Sequence, residues 1–394
     1  MASTPVRPQL SPTGPSHDPP QFERQALRSL CPSNAPVDLS LLIDGPLGAG
    51  EIGWLAHYRI LKVLGQGGMG VVFHAEDTHL QREVALKVML PTWAAQATAR
   101  DRFIREARAA ARVSSDHVVT IYHVGVHADV PYIVMELLRG HTLTDLLQSG
   151  YRPSLAETLR IGRETAMGLA AAHETGLVHR DVKPANIWVE PSGRVKILDF
   201  GLARPSEGRT GLTLIGNIVG TPEFMSPEQA RGQIVDARCD LFSLGAVLYC
   251  LCTGELPFQG ESLMALLTAL AVDPPRPIEE LNSEVPPALI HLIMQLLEKD
   301  REARPASARD VVEALTSIEA ELIWEDVTQT PRDMLPPPGD ALRGAAPPRS
   351  MSRLFIVVSL LLLAVSLGLA LAYHHARSQP APSSSEEKQA KTQD

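Results

Sequence analysis

Between residues 58 and 89 the apolar positions come in three short runs, 58–64, 71–75 and 83–89, rich in Val and Ile and separated by Gly-rich or polar turns. Runs of that length and make-up, bounded by turn residues, predict antiparallel strands. The period then changes. Over 98–113, Phe103, Ala107, Ala110 and Ala111 fall on one face of a helix while Arg102, Arg105 and Arg108 lie off it, which predicts an amphipathic helix. From about 142 to 320 the pattern is mostly helical, broken by polar loops at 179–186 and 204–221. A small strand-rich lobe ahead of a larger helical lobe predicts an α+β fold.

The flanks read differently. Residues 1–57 carry clustered prolines among Ser, Thr and Gly with no sustained apolar period, which predicts a disordered leader. No basic segment followed by an apolar core lies near Met1, so no secretory signal is expected. Residues 319–353 return to Pro, Gly and Arg and suit a juxtamembrane linker. Residues 354–373, LFIVVSLLLLAVSLGLALAY, are 20 positions without a charge. At about 1.5 Å per residue a helix of that length spans about 30 Å, the thickness of a bilayer core. Thirteen of the 20 are Leu, Ile, Val or Phe, so insertion gains on the order of 4–8 kcal/mol, and one transmembrane helix is expected. A short polar tail, 374–394, follows. Ala364, Gly368 and Ala372 recur every four residues in the span, a spacing that lets two helices approach and makes a homodimer an option.

Charge and cysteine content narrow the partners. Lys plus Arg number 36 and Asp plus Glu 45 in 394 residues, a net charge of −9, so no nucleic acid is expected as partner. Cys31, Cys239, Cys250 and Cys252 are too few and too irregular for a disulfide framework or a zinc knuckle, which points to a reducing compartment, and Cys250 and Cys252, two apart in an apolar run, read as small buried hydrophobes.

Candidate chemistry begins at LGQGGMGVV, residues 64–72, where Gly65, Gly67 and Gly70 make a GxGxxG pattern between two strand-like runs. Such glycines let backbone approach phosphates, but a dinucleotide fold needs a helix next, and here a strand-like run follows. Alone, the motif also fits an ordinary hairpin. Seventeen positions beyond Gly70 comes VALK, with Lys87 in an apolar strand, where an ammonium needs a partner; Glu106 on the following helix is the natural counter-charge. HRDVKPAN at 179–186 and DFG at 199–201 then place two carboxylates and a carboxamide in loops. Oxygen donors of that kind suit magnesium. Asp181 is free to orient and deprotonate an attacking hydroxyl, and Lys183 supplies a cation for a transferring phosphoryl group.

Taken together, GxGxxGxV, VALK, HRDxKxxN, DFG and SPE resemble the eukaryotic-type (Hanks-type) serine/threonine protein kinases over about 58–318. The phrasing YRILKVLGQGGMGVVFHAED and GTPEFMSPEQARG is most similar to bacterial single-span membrane members. The resemblance implies a two-lobed fold and an enzyme using ATP with Mg2+, or Mn2+ in its place, on Ser/Thr hydroxyls of protein substrates. Leu64, Gly65, Gln66, Gly67, Gly68, Met69, Gly70, Val71, Val72 and Ala85 would enclose the nucleotide, and Lys87 paired with Glu106 would hold its α and β phosphates. The hinge at 132–138, with Met135 as gatekeeper, would read adenine through Glu136 and Leu138. Asp181 would be the catalytic base, Lys183 would contact the γ-phosphate, and Asn186 with Asp199 would bind the metal. Thr221 would hydrogen-bond Lys183 and Asp181, Asp240 would buttress the catalytic loop, and Glu228 would pair with Arg304.

Arg180, beside Asp181, goes in this family with activation by phosphorylation between DFG and SPE, where Thr213 and Thr210 are the candidates. Ile215 stands where bacterial relatives usually carry a second threonine. ATP chemistry places the domain in the cytoplasm, at the inner face of the cell membrane, with the tail outside. The rival reading is a membrane-tethered pseudokinase, a binding module without the reaction; the presence of Lys87, Asp181, Asn186 and Asp199 disfavours it.

Overall fold

Each Val- and Ile-rich run forms a strand: β2 (Tyr58–Gln66), β3 (Gly70–Asp77) and β4 (Arg82–Met89) pair antiparallel in sequence order. These belong to the structure as a computed structural model, which describes residues 38–200 and 222–329. The expected transmembrane span and tail, and Thr210, Thr213 and Thr221, lie outside the described residues, as do 330–353 of the expected linker; its first part, 319–329, is helical instead and continues the last helix, Ala308–Gln329. Among the described residues no helix is long and apolar enough to cross a membrane.

With β1 (Gly53–Leu55), β5 (Ile121–His127) and β6 (Val130–Glu136) the small lobe is a six-stranded sheet in the order β1-β2-β3-β4-β6-β5. Alternation sorts its side chains: Ile60, Phe73, Ala75, Val84, Leu86 and Val88 are buried in one cluster. Helices α1 (Pro91–Ala94) and α2 (Ala97–Ala110) connect β4 to β5. Phe103, Ala107 and Ala110 of α2 are buried as the amphipathic pattern requires, whereas Ala111 caps the helix and is exposed.

The leader is shorter than expected. Residues 38–57 are part of the lobe: Leu42, Ile43 and Leu55 are buried in the sheet cluster, and β1 pairs with β2. Burying such side chains contributes about 1.5–3 kcal/mol each, enough to order a segment with no period of its own.

The large lobe contains α3 (Leu143–Gln148), α4 (Leu155–Glu174), a small sheet of β7 (His141–Thr142), β8 (Ile187–Val189) and β9 (Val195–Ile197), then α5 (Pro227–Ala230), α6 (Arg238–Thr253), α7 (Leu263–Val272), α8 (Pro287–Leu296) and α9 (Ala308–Gln329). Thr142 with Asp145, Ser154 with Glu157 and Ser226 with Gln229 form capping boxes that start α3, α4 and α5. Helix α6 is buried on nearly every side. Glycines permit that enclosure: a Cβ at Gly162 would lie 2.7 Å from Leu248, and one at Gly245 2.7 Å from Leu296. Cys239 and Cys252 are buried and Cys250 half-buried in this helix, all three free thiols, and burial pushes them up.

Candidate active site

The Gly-rich turn closes the β2–β3 hairpin, with Gly65 opposite Val72 and Gln66 opposite Val71. The Gly67 amide donates to the Gly70 carbonyl at 2.9 Å. Two requirements account for the glycines. At Gly70 a Cβ would sit 2.5 Å from the Val88 carbonyl oxygen, so packing against β4 excludes one. At Gly65 a Cβ would meet nothing within 4 Å, and at Gly67 only the Gly70 carbonyl at 3.9 Å. Packing within the chain does not demand glycine there, and the bare backbone fits phosphates.

Val72, Ala85 and Lys87 share one face of the sheet, since Val72 is opposite Lys87 and Ala85 follows by alternation. Leu64, Gln66 and Gly68 are exposed, and Met69 is half-buried against the small core of Met89, Ala94, Phe103, Ala107 and Ile133. Val71 departs from expectation: its side chain is buried in the sheet core, facing away from Val72. The Glu136 carboxylate is already engaged, accepting from Lys196 Nζ and from the Thr120 amide at 2.7 Å each, and its own amide donates to the Thr120 carbonyl at 3.0 Å, while Leu138 is half-buried.

Lys87 does not pair with Glu106. Its ammonium lies 2.6 Å from Asp199 Oδ1. Burial alone pushes the Asp199 carboxyl up, but Lys87, with His179 and Lys183 beyond it, outweighs burial and holds it below the usual carboxylate range. Burial pushes Glu106 up to about 7 despite Arg102, Arg105 and Arg180 nearby, and its Oε2 is buried without a partner. Near neutral pH the fully ionised Asp199 is therefore the better partner for the ammonium.

A pH dependence follows. The Glu106 proton is held more tightly in the fold, about 7 against an ordinary 4.5. Its contribution to stability is complete below about 4.5 and lost as pH rises through about 7. The urea midpoint of the wild type is expected to fall more between pH 5 and 8 than that of Glu106→Gln; equal slopes would assign Glu106 an ordinary pKa.

The catalytic loop is fixed from below. Asp240, fully buried at the start of α6, accepts from the His179 amide at 2.8 Å, the Arg180 amide at 2.7 Å and His173 Nε2 at 2.8 Å. Burial pushes its carboxyl up, but His173 foremost, then His179, hold it below the usual range. These bonds hold a strained backbone at Arg180, whose φ of +65° lies in the left-handed region, as does the φ of +54° at Asp199. His179 also reaches the Leu198 carbonyl at 2.7 Å, and its ring packs 4.6 Å from that of Phe200.

Above this base, the Asp181 carboxylate lies 2.8 Å from Lys183 Nζ and 3.1 Å from Asn186 Nδ2, which also donates to the Asp181 carbonyl at 2.8 Å. With both contacts made through Nδ2, the carboxamide oxygen of Asn186 remains an acceptor, and with Asp199 it forms a hard-oxygen pair. Among the described residues no cluster of three metal-ligating side chains exists. One carboxylate and one carboxamide suit a cation that completes its shell with phosphate and water. The residues present fit a divalent cation paired with a nucleotide.

A family model described as the protein kinase domain matches residues 58–315. The chain belongs to the protein kinase family. Serine/threonine-protein kinase pkn2 of Myxococcus xanthus is 39% identical over 292 residues, covering 72% of this chain and 34% of the relative. A probable serine/threonine-protein kinase of Clostridium acetobutylicum is 36% identical over 269 residues, 68% of this chain and 41% of that one. The chain thus spans less than half the length of these curated relatives. Among solved structures, the PknI kinase domain of Mycobacterium tuberculosis superposes with a TM-score of 0.56 at 25% identity, over 70% of this chain and all of that one. Two contacts of the kinase domain had no signal in the motifs: His173 beneath Asp240, and Trp93 against the Gly-rich turn.

Proposed function

We propose that this kinase domain transfers the γ-phosphate of ATP to Ser and Thr hydroxyls of proteins, held at a membrane by residues 354–373. The observation that carries the reading is the Asp181 carboxylate, held by Lys183 and Asn186 on a loop pinned by Asp240 and set beside the Lys87–Asp199 pair. Asp181 orients the acceptor hydroxyl and takes its proton; Lys183 meets charge on the phosphoryl group. Lys87 holds the α and β phosphates, and the turn at 65–70 covers them with backbone amides. Asn186 and Asp199 would hold a divalent cation, whose chemistry is to neutralise phosphate charge. Magnesium suits the donors, and manganese is an alternative.

Arg102, Arg105 and Arg180 gather around Glu106, with the Nε atoms of Arg102 and Arg180 buried and unpartnered. This basic cluster supports activation by autophosphorylation at Thr213, or Thr210, since a phosphate answers several guanidinium donors at once. The apolar run at 354–373 supports a single span with the kinase domain on the cytoplasmic face of the inner membrane and residues 374–394 outside, and its small-residue repeat supports homodimer contact.

The test is fractionation of cells expressing the full chain, followed by labelled ATP and magnesium on the membrane fraction. Label is expected on Ser and Thr, Thr213 included, and removal of 354–373 is expected to move the activity to the soluble fraction. Nucleotide binding without label favours the silent binding module, and a chain that is soluble with its span intact sinks the anchor.

A further inference from the structure

Residues 62–68 are exposed, and glycine occupies four of the six positions from 65 to 70, so the turn over the nucleotide is a segment with much backbone freedom to lose. Two bonds from outside the hairpin restrain its tip. The indole Nε1–H of Trp93 donates to the Gly68 carbonyl at 2.8 Å, and the Leu90 amide donates to the Met69 carbonyl at 2.9 Å. Both donors come from the segment that leaves β4 and enters α1. Pro91 stands in the first turn of that helix, where its fixed φ suits the helix start, and Ala94 is buried beneath it.

The indole is anchored in its turn. Trp93 and Met69 pack against one small core made by Met89, Ala94, Phe103, Ala107 and Ile133. Phe103 and Ala107 lie on α2, flanking Glu106 in sequence. One contiguous set of contacts therefore joins the tip of the Gly-rich turn, through Trp93, to the helix that carries Glu106.

We propose that Trp93 is a positioning residue for ATP: its indole N–H holds the turn near the stance that meets the phosphates, and ties that stance to α2. Trp93 itself touches no phosphate; it acts by reducing the freedom the turn must surrender when nucleotide arrives. The consequence is specific to nucleotide. Loss of the indole N–H weakens ATP without altering the protein substrate's contacts or the proton transfer at Asp181.

This inference rests on the kinase reading above, and the experiment separates the two. Full-length wild type and Trp93→Phe, which keeps an aromatic ring and removes the donor, are compared for binding of a fluorescent ATP analogue and for kcat and KM toward ATP and a Ser/Thr peptide. The expected result is an ATP KM and analogue Kd raised about fivefold, about 1 kcal/mol at 1.4 kcal/mol per factor of ten, with kcat and peptide KM within twofold of wild type. Hydrogen exchange over 65–70 is expected to quicken in the same protein. Unchanged or tighter nucleotide binding overturns the proposal, as does a loss confined to kcat. A wild type that binds the analogue but transfers no phosphate defeats the kinase reading alone, since the binding comparison still decides the role of Trp93. Should Trp93→Phe lower the thermal midpoint by more than a few degrees, Trp93→Met, an apolar side chain with no N–H or O–H donor, takes its place in the same assays.

Discussion

Asp181→Asn is expected to lower phosphoryl transfer to a Ser/Thr peptide by about 10²–10⁴-fold, the range a positioned general base contributes. The substitution is close to isosteric, so the side chain can still meet Asn186 and remain on a backbone that Asp240 holds. What disappears is the negative charge that lies 2.8 Å from Lys183 and the lone pair that accepts the hydroxyl proton. Nucleotide binding should survive, because Lys87, Asp199 and the Gly-rich turn are untouched. Measured together, an unchanged nucleotide Kd and a collapsed kcat identify chemistry as the lost step; activity above one tenth of wild type would remove Asp181 from the role of base.

The largest effect on stability is expected at Arg304, far from the chemistry. Its guanidinium is buried and donates to both carboxylate oxygens of Glu228, at 2.8 and 2.9 Å, and to the carbonyls of Glu298 at 2.8 Å and Arg238 at 3.0 Å. Arg304→Met leaves the Glu228 charge buried and alone, a loss of about 3–5 kcal/mol. At about 2–4 °C per kcal/mol for a domain of this size, the thermal midpoint falls by about 6–20 °C. Burial pushes the Glu228 carboxyl up, but Arg304 prevails and holds it below its usual range, so this stability is present above about 4.5 and fades as pH falls. The gap between variant and wild type should therefore narrow in acid, and the double variant with Glu228→Leu should lose less than the two single losses added. A midpoint within 2 °C of wild type would mean that the pair carries little net energy.

Features that depend on residue type at fixed spacing were legible in the sequence: the strands at 58–89, the amphipathic α2, and the motifs that bring Lys87, Asp181, Asn186 and Asp199 together. The long-range pairs Glu228–Arg304 and Asp240 with the catalytic loop came from family resemblance, since nothing local links residues 76 apart. The partner of Lys87 could not be read from spacing. Two carboxylates compete for one ammonium, and the outcome depends on how burial shifts Glu106 against Asp199, a property of the folded environment. Val71 and Val72 likewise look interchangeable in sequence until the register sends one to the core and the other to the face of Lys87. Residues 38–57 escaped for a different reason: elements of three residues are too short to display a period, and their order comes from the core they join.

That short first strand also settles how the small lobe ends. A sheet edge with free amides and carbonyls invites a neighbouring chain to add a strand, and brevity and irregularity are the usual deterrents. On one side the lobe ends in three residues, Gly53–Leu55, laid over β2 and themselves bridged by Asp44 at Trp54. On the other it ends in β5, whose register slips between Ile121 and His123 and whose Tyr122 ring lies under the Arg82 guanidinium at 3.8 Å. A six-stranded sheet rich in valine is thus finished at both margins by a stub and a kink, leaving little straight edge on which copies of the lobe could stack into aggregates.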